Sequence, residues 1–156
     1  MLNSPMPDPA LLHDDAGQIS EPLHLGDVKL YPAPAFSRFV LRARPHGLQQ
    51  AAKIFGLTPP APLKASTFKD RHLLWQGPDE WLLLAPYGDH EEIKSNIAEG
   101  LASNPHALVD VSHRNQAFLL SGQTVEILLA SHCMLVLSLQ AFPIGMTTRT
   151  LFAKAE

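Results

Sequence analysis

Two runs of strand-forming residues, 67–76 and 80–85, are joined by the turn sequence Gly77-Pro-Asp-Glu80. Proline presets the backbone angle φ for a turn, and aspartate can hydrogen-bond the local backbone there. The pattern therefore predicts a β-hairpin, and a two-stranded hairpin is antiparallel. Because a hairpin must bury one face against other elements, this feature limits the chain to folds that contain a covered antiparallel sheet.

Together with the two strands of the hairpin, the patterns on either side of it predict six strands and three helices. In the helix predicted at 90–102, Ile93, Ile97 and Leu101 recur at four-residue spacing, which places them on one face. The predicted strands cover 36–43, 67–76, 80–85, 107–112, 116–121 and 146–153, and the predicted helices cover 47–55, 90–102 and 123–134. The order β-α-β-β-α-β-β-α-β predicts an α+β fold of ferredoxin-like split β-α-β units, with an antiparallel sheet and helices on one side.

Residues 1–35 differ in composition from the rest of the chain. They contain six of the 14 prolines, five acidic residues and one base, Lys29. Proline fixes φ and lacks an amide donor, so we expect neither a regular helix nor a central strand here. We predict a Pro-rich acidic N-terminal arm over 1–35, extended or disordered, followed by a domain over 36–156. The last predicted strand, 146–153, leaves a sheet edge that another element should cover.

The charge content disfavours several classes of function. Only 17% of the residues are charged, against ~25% in a usual soluble domain, so we expect another molecule to cover part of the surface. The formal net charge of −3 disfavours nucleic-acid binding. The one cysteine, Cys133, cannot form an intrachain disulfide and favours a reduced, cytoplasmic compartment. No apolar run approaches the ~20 residues that span a bilayer, and residues 1–10 lack the pattern of a secretory signal.

Three segments resemble a known family in their order and spacing. They are Gly-Pro-Asp-Glu-Trp-Leu-Leu-Leu at 77–84, Ala-Leu-Val-Asp-Val-Ser-His-Arg at 107–114 and Ala-Phe-Pro-Ile-Gly-Met-Thr-Thr-Arg-Thr at 141–150. Together they resemble the gamma subunit of heterotetrameric sarcosine oxidase, over residues 36–156. The same run is similar to part of the folate-binding domain of the glycine-cleavage T-protein, aminomethyltransferase. Relatives in the gamma family usually continue for several tens of residues, so the resemblance leads us to expect a C-terminally short domain.

The resemblance implies an assembly-stabilising subunit with no catalysis of its own. The complex oxidatively demethylates sarcosine to glycine and makes hydrogen peroxide and, with tetrahydrofolate, 5,10-methylenetetrahydrofolate. The implied partners are the alpha, beta and delta subunits. Flavins, NAD and folate are implied for those partner subunits, and no cofactor for this chain. The chain has no counterpart of the acidic residue and Gly-Glu turn of the T-protein folate pocket, so folate binding is not carried over. The alternative is a stand-alone folate or one-carbon binding module related to aminomethyltransferase.

The resemblance also indicates candidate site residues. Arg149 is the candidate cofactor-binding residue, because the T-protein has an arginine near folate on the corresponding strand. A carboxylate beside Arg149 would favour the binding module, and a bare apolar face would favour the subunit. Trp75, Trp81 and Arg149 are the candidate interface residues, since tryptophan and arginine concentrate in interface hot spots. The alternative interpretation is that the tryptophans belong to the core and that Arg149 is an exposed strand residue with no binding role.

Asp110, Ser112 and His113 invite comparison with a hydrolase, because all three residue types occur in catalytic triads. Neighbours on one strand alternate in direction, so these three cannot form the hydrogen-bonded chain of a triad. We expect local backbone hydrogen bonds instead, and we predict no catalytic residue. The eight histidines lack the i, i+4 spacing of a helical zinc site, and no metal site is predicted. Cys133 is expected to be a small buried apolar residue.

Overall fold

The computed structural model describes residues 22–114 and 116–153. These residues form eight strands and three α-helices, with one turn of 3-10 helix at Tyr87–Asp89. The strands are β1 (Leu23–Leu25), β2 (Val28–Pro32), β3 (Phe36–Ala43), β4 (Ala65–Phe68), β5 (Arg71–Gly77), β6 (Glu80–Pro86), β7 (His106–Asp110) and β8 (Phe118–Ser121). The helices are α1 (Pro45–Phe55), α2 (His90–Gly100) and α3 (Val125–Ala130).

The larger sheet has five strands in the order β4-β5-β6-β3-β7. Every neighbouring pair in it is antiparallel. Strands β5 and β6 form the predicted hairpin, which pairs from His72 with Leu84 to Gly77 with Glu80. The α+β class with an antiparallel sheet is therefore confirmed.

The run predicted as one strand at 67–76 is two strands, β4 and β5. The chain reverses at Lys69 and Asp70, between the paired residues Phe68 and Arg71. Lys69 has a φ of +52°, a left-handed conformation that ends β4. The prediction was wrong because this turn contains neither glycine nor proline, the residues that usually mark a turn in a sequence.

One face of the larger sheet packs against α1 and α2. Side chains on this face include Phe39 of β3 and Leu83 of β6, which are almost fully buried. Ile93 and Ile97 of α2 are buried in the same core, as their spacing predicts. Helix α1 ends at Gly56, whose left-handed backbone lets its amide bond back to the last turn. The core thus lies between the two helices and one face of the sheet, and leaves the second face outside it.

The smaller sheet has the order β1-β2-β8, so β2 is a central strand. This differs from the expectation that the prolines of 1–35 exclude one. Pro32 is the last residue of β2, where its missing amide does not interrupt the ladder. Asp27, in the β1–β2 turn, accepts hydrogen bonds from the amide of Thr124 at 2.9 Å and from its hydroxyl. Residues 1–21 of the predicted arm lie outside the described residues.

Gly122→Ala is expected to destabilise the smaller sheet by about 2–4 kcal/mol. Gly122 has a φ of +138°, and a Cβ atom there would collide with the carbonyl oxygen of Asp27. Urea unfolding measures the loss. Gly145→Ala is the matched control, because its φ is +81° but no atom lies within 4 Å of the added Cβ. It should cost about 1 kcal/mol from backbone strain alone, and equal losses in the two variants would contradict the steric argument.

The strand predicted at 146–153 is not formed. One end of this segment bridges to Lys64 and the other end bridges to Cys133. Near the first bridge, the Thr147 hydroxyl donates to the carbonyl of Trp75 at 3.1 Å. Because the two ends pair with different parts of the chain, no single ladder runs along the segment. The prediction of a strand with a free edge was therefore wrong.

Helix α3 has six residues, fewer than the helix predicted at 123–134. Beyond its end, the Ser131 hydroxyl donates to the carbonyl of Leu128 at 2.7 Å and lies 2.6 Å from Nδ1 of His132. Such local hydrogen bonds compete with the hydrogen bonds of the helix, and here they occur where the helix ends.

None of the three described helices combines the length and apolar character needed to cross a bilayer.

Candidate functional site

The second face of the larger sheet, away from α1 and α2, carries an ion-pair cluster centred on Glu80. The Glu80 carboxylate accepts hydrogen bonds from Arg42 at 2.9 Å (Nε) and 2.5 Å (a terminal nitrogen), and from Arg149 at 3.2 Å. The Glu80 side chain is 11% exposed, whereas those of Arg42 and Arg149 are 62% and 53% exposed. The hydrogen bond to Glu80, followed by its charge, raises the pKa of Arg42. The buried carboxylate thus depends on two cations that water still reaches.

A cavity of about 360 Å³ opens beside this cluster, and we call it the arginine cavity. Its lining residues are Val40, Arg42, Gln76, Glu80, Val109, Val111, Arg114 and Arg149. Among its described lining residues, three guanidinium groups outnumber one carboxylate, and three valines give it apolar walls. Guanidinium groups bind carboxylates through charge-assisted hydrogen bonds, so the cavity has the chemistry to hold an anionic group.

Arg149, the candidate from the sequence, lies in this polar cavity with the Glu80 carboxylate beside it. This is the arrangement that we expected to favour a binding module. Sequence reasoning missed Arg42, Glu80 and Arg114 as parts of the site. Arg42 and Glu80 are 38 positions apart, and Glu80 and Arg149 are 69 apart. The register of β3 and β6, which sets Arg42 opposite Glu80, brings the first pair together.

The two candidate tryptophans face the helices and not the arginine cavity. Trp75 and Trp81 are direct partners across β5 and β6. Trp81 is 3% exposed and belongs to the core, and Trp75 is partly buried against that core. Among the residues that the structure describes, the indole N–H of Trp81 has no hydrogen-bond partner. Trp81 is therefore a core residue in this chain, and only the exposed part of the Trp75 side chain could contact a partner.

The side chain of Asp110 makes the local backbone hydrogen bond that the sequence predicts, whereas the hydroxyl of Ser112 bonds to a distant part of the backbone. The amide of Ser112 donates to Asp110 at 2.9 Å, and the hydroxyl oxygen of Ser112 accepts the amide of Arg38 at 2.9 Å. The ring of His113 packs edge-on against Tyr87 with centroids 6.5 Å apart. The Ser112 hydroxyl thus joins β3 to the end of β7. Ser112 and His113 are not hydrogen-bonded to each other, as a catalytic nucleophile and its base would be.

His90 forms a hydrogen-bonded chain that sequence reasoning missed. Its Nδ1 lies 3.2 Å from the hydroxyl of Ser37, and its Nε2 lies 3.3 Å from a carboxylate oxygen of Asp110. The order serine, histidine, aspartate resembles a catalytic triad in composition. Ser37 is fully buried, however, and its hydroxyl also donates to the carbonyl of Tyr87 at 3.4 Å. The chain therefore links β3, the start of α2 and β7, and offers no exposed nucleophile.

Asp110→Asn is expected to lower stability at neutral pH but not in acid. Hydrogen bonding from Ser112, by its side chain and then its amide, holds the pKa of Asp110 below the usual 3.8. Such a carboxylate stabilises the fold while it is ionised, and that contribution is lost as pH falls through its pKa in the folded protein. The difference in thermal stability between wild type and variant should stay constant above about pH 5 and shrink below about pH 4. Asp70→Asn, in the exposed β4–β5 turn, is the control; a difference that persists in strong acid would contradict the assignment.

The chain after the start of α3 exposes many large apolar side chains, and we call residues 127–152 the C-terminal apolar segment. Met134 is 94% exposed and Ile144 is 78% exposed. The other exposed apolar residues in it are Ile127, Val136, Leu139, Leu151 and Phe152. The segment is held in place, since the amide of Ala153 donates to the carbonyl of His132 at 2.7 Å. Concentrated exposed apolar surface is typical of a protein–protein interaction site.

Among residues 22–114 and 116–153, no group of three or more histidine, cysteine, aspartate or glutamate side chains is placed to hold a metal ion. Cys133 is half-buried, with its sulfur 3.9 Å from the hydroxyl of Thr150. The candidate functional features that we consider further are the arginine cavity and the C-terminal apolar segment.

Comparisons with known proteins agree with one another. Residues 43–156 match the model of the sarcosine oxidase, gamma subunit family. The sarcosine oxidase subunit gamma of Corynebacterium sp. (strain P-1) is 29% identical over 98 residues, which cover 63% of this chain and 47% of that protein. The chain thus spans about half the length of this curated relative.

A solved structure shares the fold. It is described as a heterotetrameric sarcosine oxidase from Corynebacterium sp. U-96 in complex with pyrrole 2-carboxylate. The match has a TM-score of 0.74 at 24% sequence identity and covers 83% of this chain and 69% of the other. Because the family model matches most of the chain, this protein belongs to the sarcosine oxidase gamma subunit family.

Proposed function

We propose that this chain is a non-catalytic subunit that stabilises a heterotetrameric sarcosine oxidase, in contact with alpha, beta and delta subunits. The complex would oxidise sarcosine to glycine and produce hydrogen peroxide and, from tetrahydrofolate, methylenetetrahydrofolate. Flavins, NAD and folate would be bound by the partner subunits. The single cysteine favours the cytoplasm as the compartment. Family membership and the solved heterotetrameric relative support the proposal.

The observation that carries this proposal is the exposure of the C-terminal apolar segment. A chain alone in water gains nothing from exposing side chains such as Met134, Leu139 and Ile144, whereas the core of an interface buries them. Each such side chain contributes about 1.5–3 kcal/mol when fully buried, before the costs of association. The hydroxyls of Ser37 and Ser112 are both held by hydrogen bonds within the chain, which supports a role without catalysis.

Co-expression with the alpha, beta and delta subunits tests the proposal. Size-exclusion chromatography would be followed at 280 nm and at a flavin wavelength. We expect this chain to elute with the yellow complex, and we expect its omission to lower the yield or the oxidase activity of that complex. If the chain instead elutes alone beside an intact, active flavoprotein, the proposal is wrong.

One observation favours a second candidate, the stand-alone folate or one-carbon binding module. The Glu80 carboxylate lies 3.2 Å from Arg149 at the edge of a cavity with convergent polar groups. Calorimetric titration of the purified chain with tetrahydrofolate tests this candidate. Binding that is weakened by Arg149→Gln would support it, and the absence of heat at millimolar ligand would remove it.

A further inference from the structure

Strand β7 is an edge strand of the larger sheet, with β3 on one side and no described strand on the other. The amide of Val111, just past its end, donates to the carbonyl of Arg38 at 2.8 Å. Antiparallel pairing alternates, so the amides of Ala107 and Val109 also face β3. The amides of the alternate residues, His106, Leu108 and Asp110, therefore face the open edge.

Two of the features that usually protect an edge, basic or proline residues and a bulge, are missing from β7. The sequence of β7, His-Ala-Leu-Val-Asp, contains no lysine, arginine or proline, and its register with β3 has no bulge. Natural proteins block exposed edges with such residues, with bulges or with a covering element. A regular edge without them is suited to receive an extended segment of another chain, which would complete the backbone hydrogen bonds.

The arginine cavity lies on the sheet face directly beside this edge. Val109 of β7 and Val111 form part of its wall, and Arg114 follows in the next turn. Side chains of an added strand on this face would stand about 5 Å from Val109, within reach of the cavity for an aspartate or glutamate. Glu80 already binds Arg42 and Arg149. Among the residues that the structure describes, no carboxylate or other hydrogen-bond acceptor contacts the side chain of Arg114.

We infer that the β7 edge and the arginine cavity together form one docking site for an extended segment of a partner subunit that carries an aspartate or glutamate. The backbone of that segment would pair with the open side of β7, and its carboxylate would bind Arg114 in the cavity. Charge complementarity selects this occupant, because Arg114 adds a positive charge to the cavity, and Glu80, the carboxylate among its described lining residues, is already bound to Arg42 and Arg149. The inference rests on the proposed function, since it assigns a surface to the contact with a partner.

Hydrogen exchange of the free chain and of the co-purified complex tests the backbone part. In the complex, the exchange of the Leu108 amide should slow at least about tenfold, because it gains a hydrogen-bond partner. The Val109 amide is the internal control, since it faces β3 in both states and should change little. Unchanged exchange at Leu108 in an intact complex would overturn the inference while the proposed function stands.

Arg114→Gln tests the charged part. We expect it to weaken the complex about tenfold at low ionic strength, as for the loss of one hydrogen-bonded charge. Lys94→Gln is the matched control, because it removes the same charge from the exposed face of α2 and should leave affinity unchanged. Equal affinities for both variants would overturn the inference. If the wild-type chain forms no complex at all, the proposed function fails and this inference fails with it.

The acidic residues at 1–21 of this chain are a competing occupant. Removing residues 1–21 distinguishes the two sources of a carboxylate. If the Leu108 amide already exchanges slowly in the free full-length chain and becomes fast after this truncation, the chain's own segment occupies the site and the inference is wrong. If its exchange is fast in both free chains and slow only in the complex, the partner is the occupant.

Discussion

Replacing Met134 and Ile144 together by aspartate is expected to remove this chain from the proposed complex while its own fold stays intact. Both side chains are more than three-quarters exposed, so the isolated chain loses little packing. In an apolar interface, each new carboxylate would have to be buried without a partner, which costs several kcal/mol. We expect co-elution with the partner subunits to fall at least about 100-fold in apparent affinity, with an unchanged circular dichroism spectrum and melting temperature.

The control for this experiment is a pair of aspartates on another surface. Asn96 and Ala102 are exposed, and Asn96→Asp with Ala102→Asp adds the same charge at the α2 side of the molecule. This variant should assemble like the wild type. If the Met134 and Ile144 variant also assembles at the wild-type level, the C-terminal apolar segment is not buried against a partner. Its exposure would then no longer support the proposed function.

Removing both arginines from Glu80 is expected to cost more stability than removing Glu80 itself, although the same ion pairs are lost. Arg42→Met with Arg149→Met leaves a carboxylate that is 11% exposed without its cations. Stranding that charge should cost about 1–3 kcal/mol. Glu80→Gln leaves two arginines that are more than half exposed, and water can solvate them in place of the carboxylate. Urea unfolding at neutral pH compares the two losses.

A third variant controls for the loss of an arginine in general. Arg44→Met is the control, since Arg44 is exposed and lies outside the arginine cavity. Equal losses for Glu80→Gln and the double arginine variant would contradict the argument from the unequal burial of the three side chains.

The parts of the fold that follow from local sequence could be predicted. The stripe of Ile93 and Ile97 defines the buried face of α2, and the turn at Gly77-Pro-Asp-Glu80 defines the hairpin of β5 and β6. In both cases the residues that determine the structure lie within one turn or one helix of each other. The spacing of residues in the sequence is therefore sufficient to predict these two elements.

Two of the predictions that failed depend on contacts between distant residues. Asp27 binds Thr124 across 97 positions, and this contact ties the β1–β2 turn to the start of α3. The segment at 146–153 pairs with Lys64 at one end and with Cys133 at the other. The candidate site was incompletely predicted for the same reason. Arg149 could be named from a resemblance, but its partner Glu80 lies 69 positions away and is brought to it only by the fold.

The pairing of Trp75 with Trp81 also gives the chain an optical signal of its own. These are its two tryptophans, and the buried indole of Trp81 lies in apolar surroundings with no hydrogen-bond partner among the described residues. An indole in such surroundings emits at shorter wavelength than one in water. Opening of the β5–β6 hairpin exposes both rings, so their emission should shift to longer wavelength as the larger sheet unfolds. The stability of this subunit can therefore be followed by its intrinsic fluorescence, with no label placed on a surface that a partner would cover.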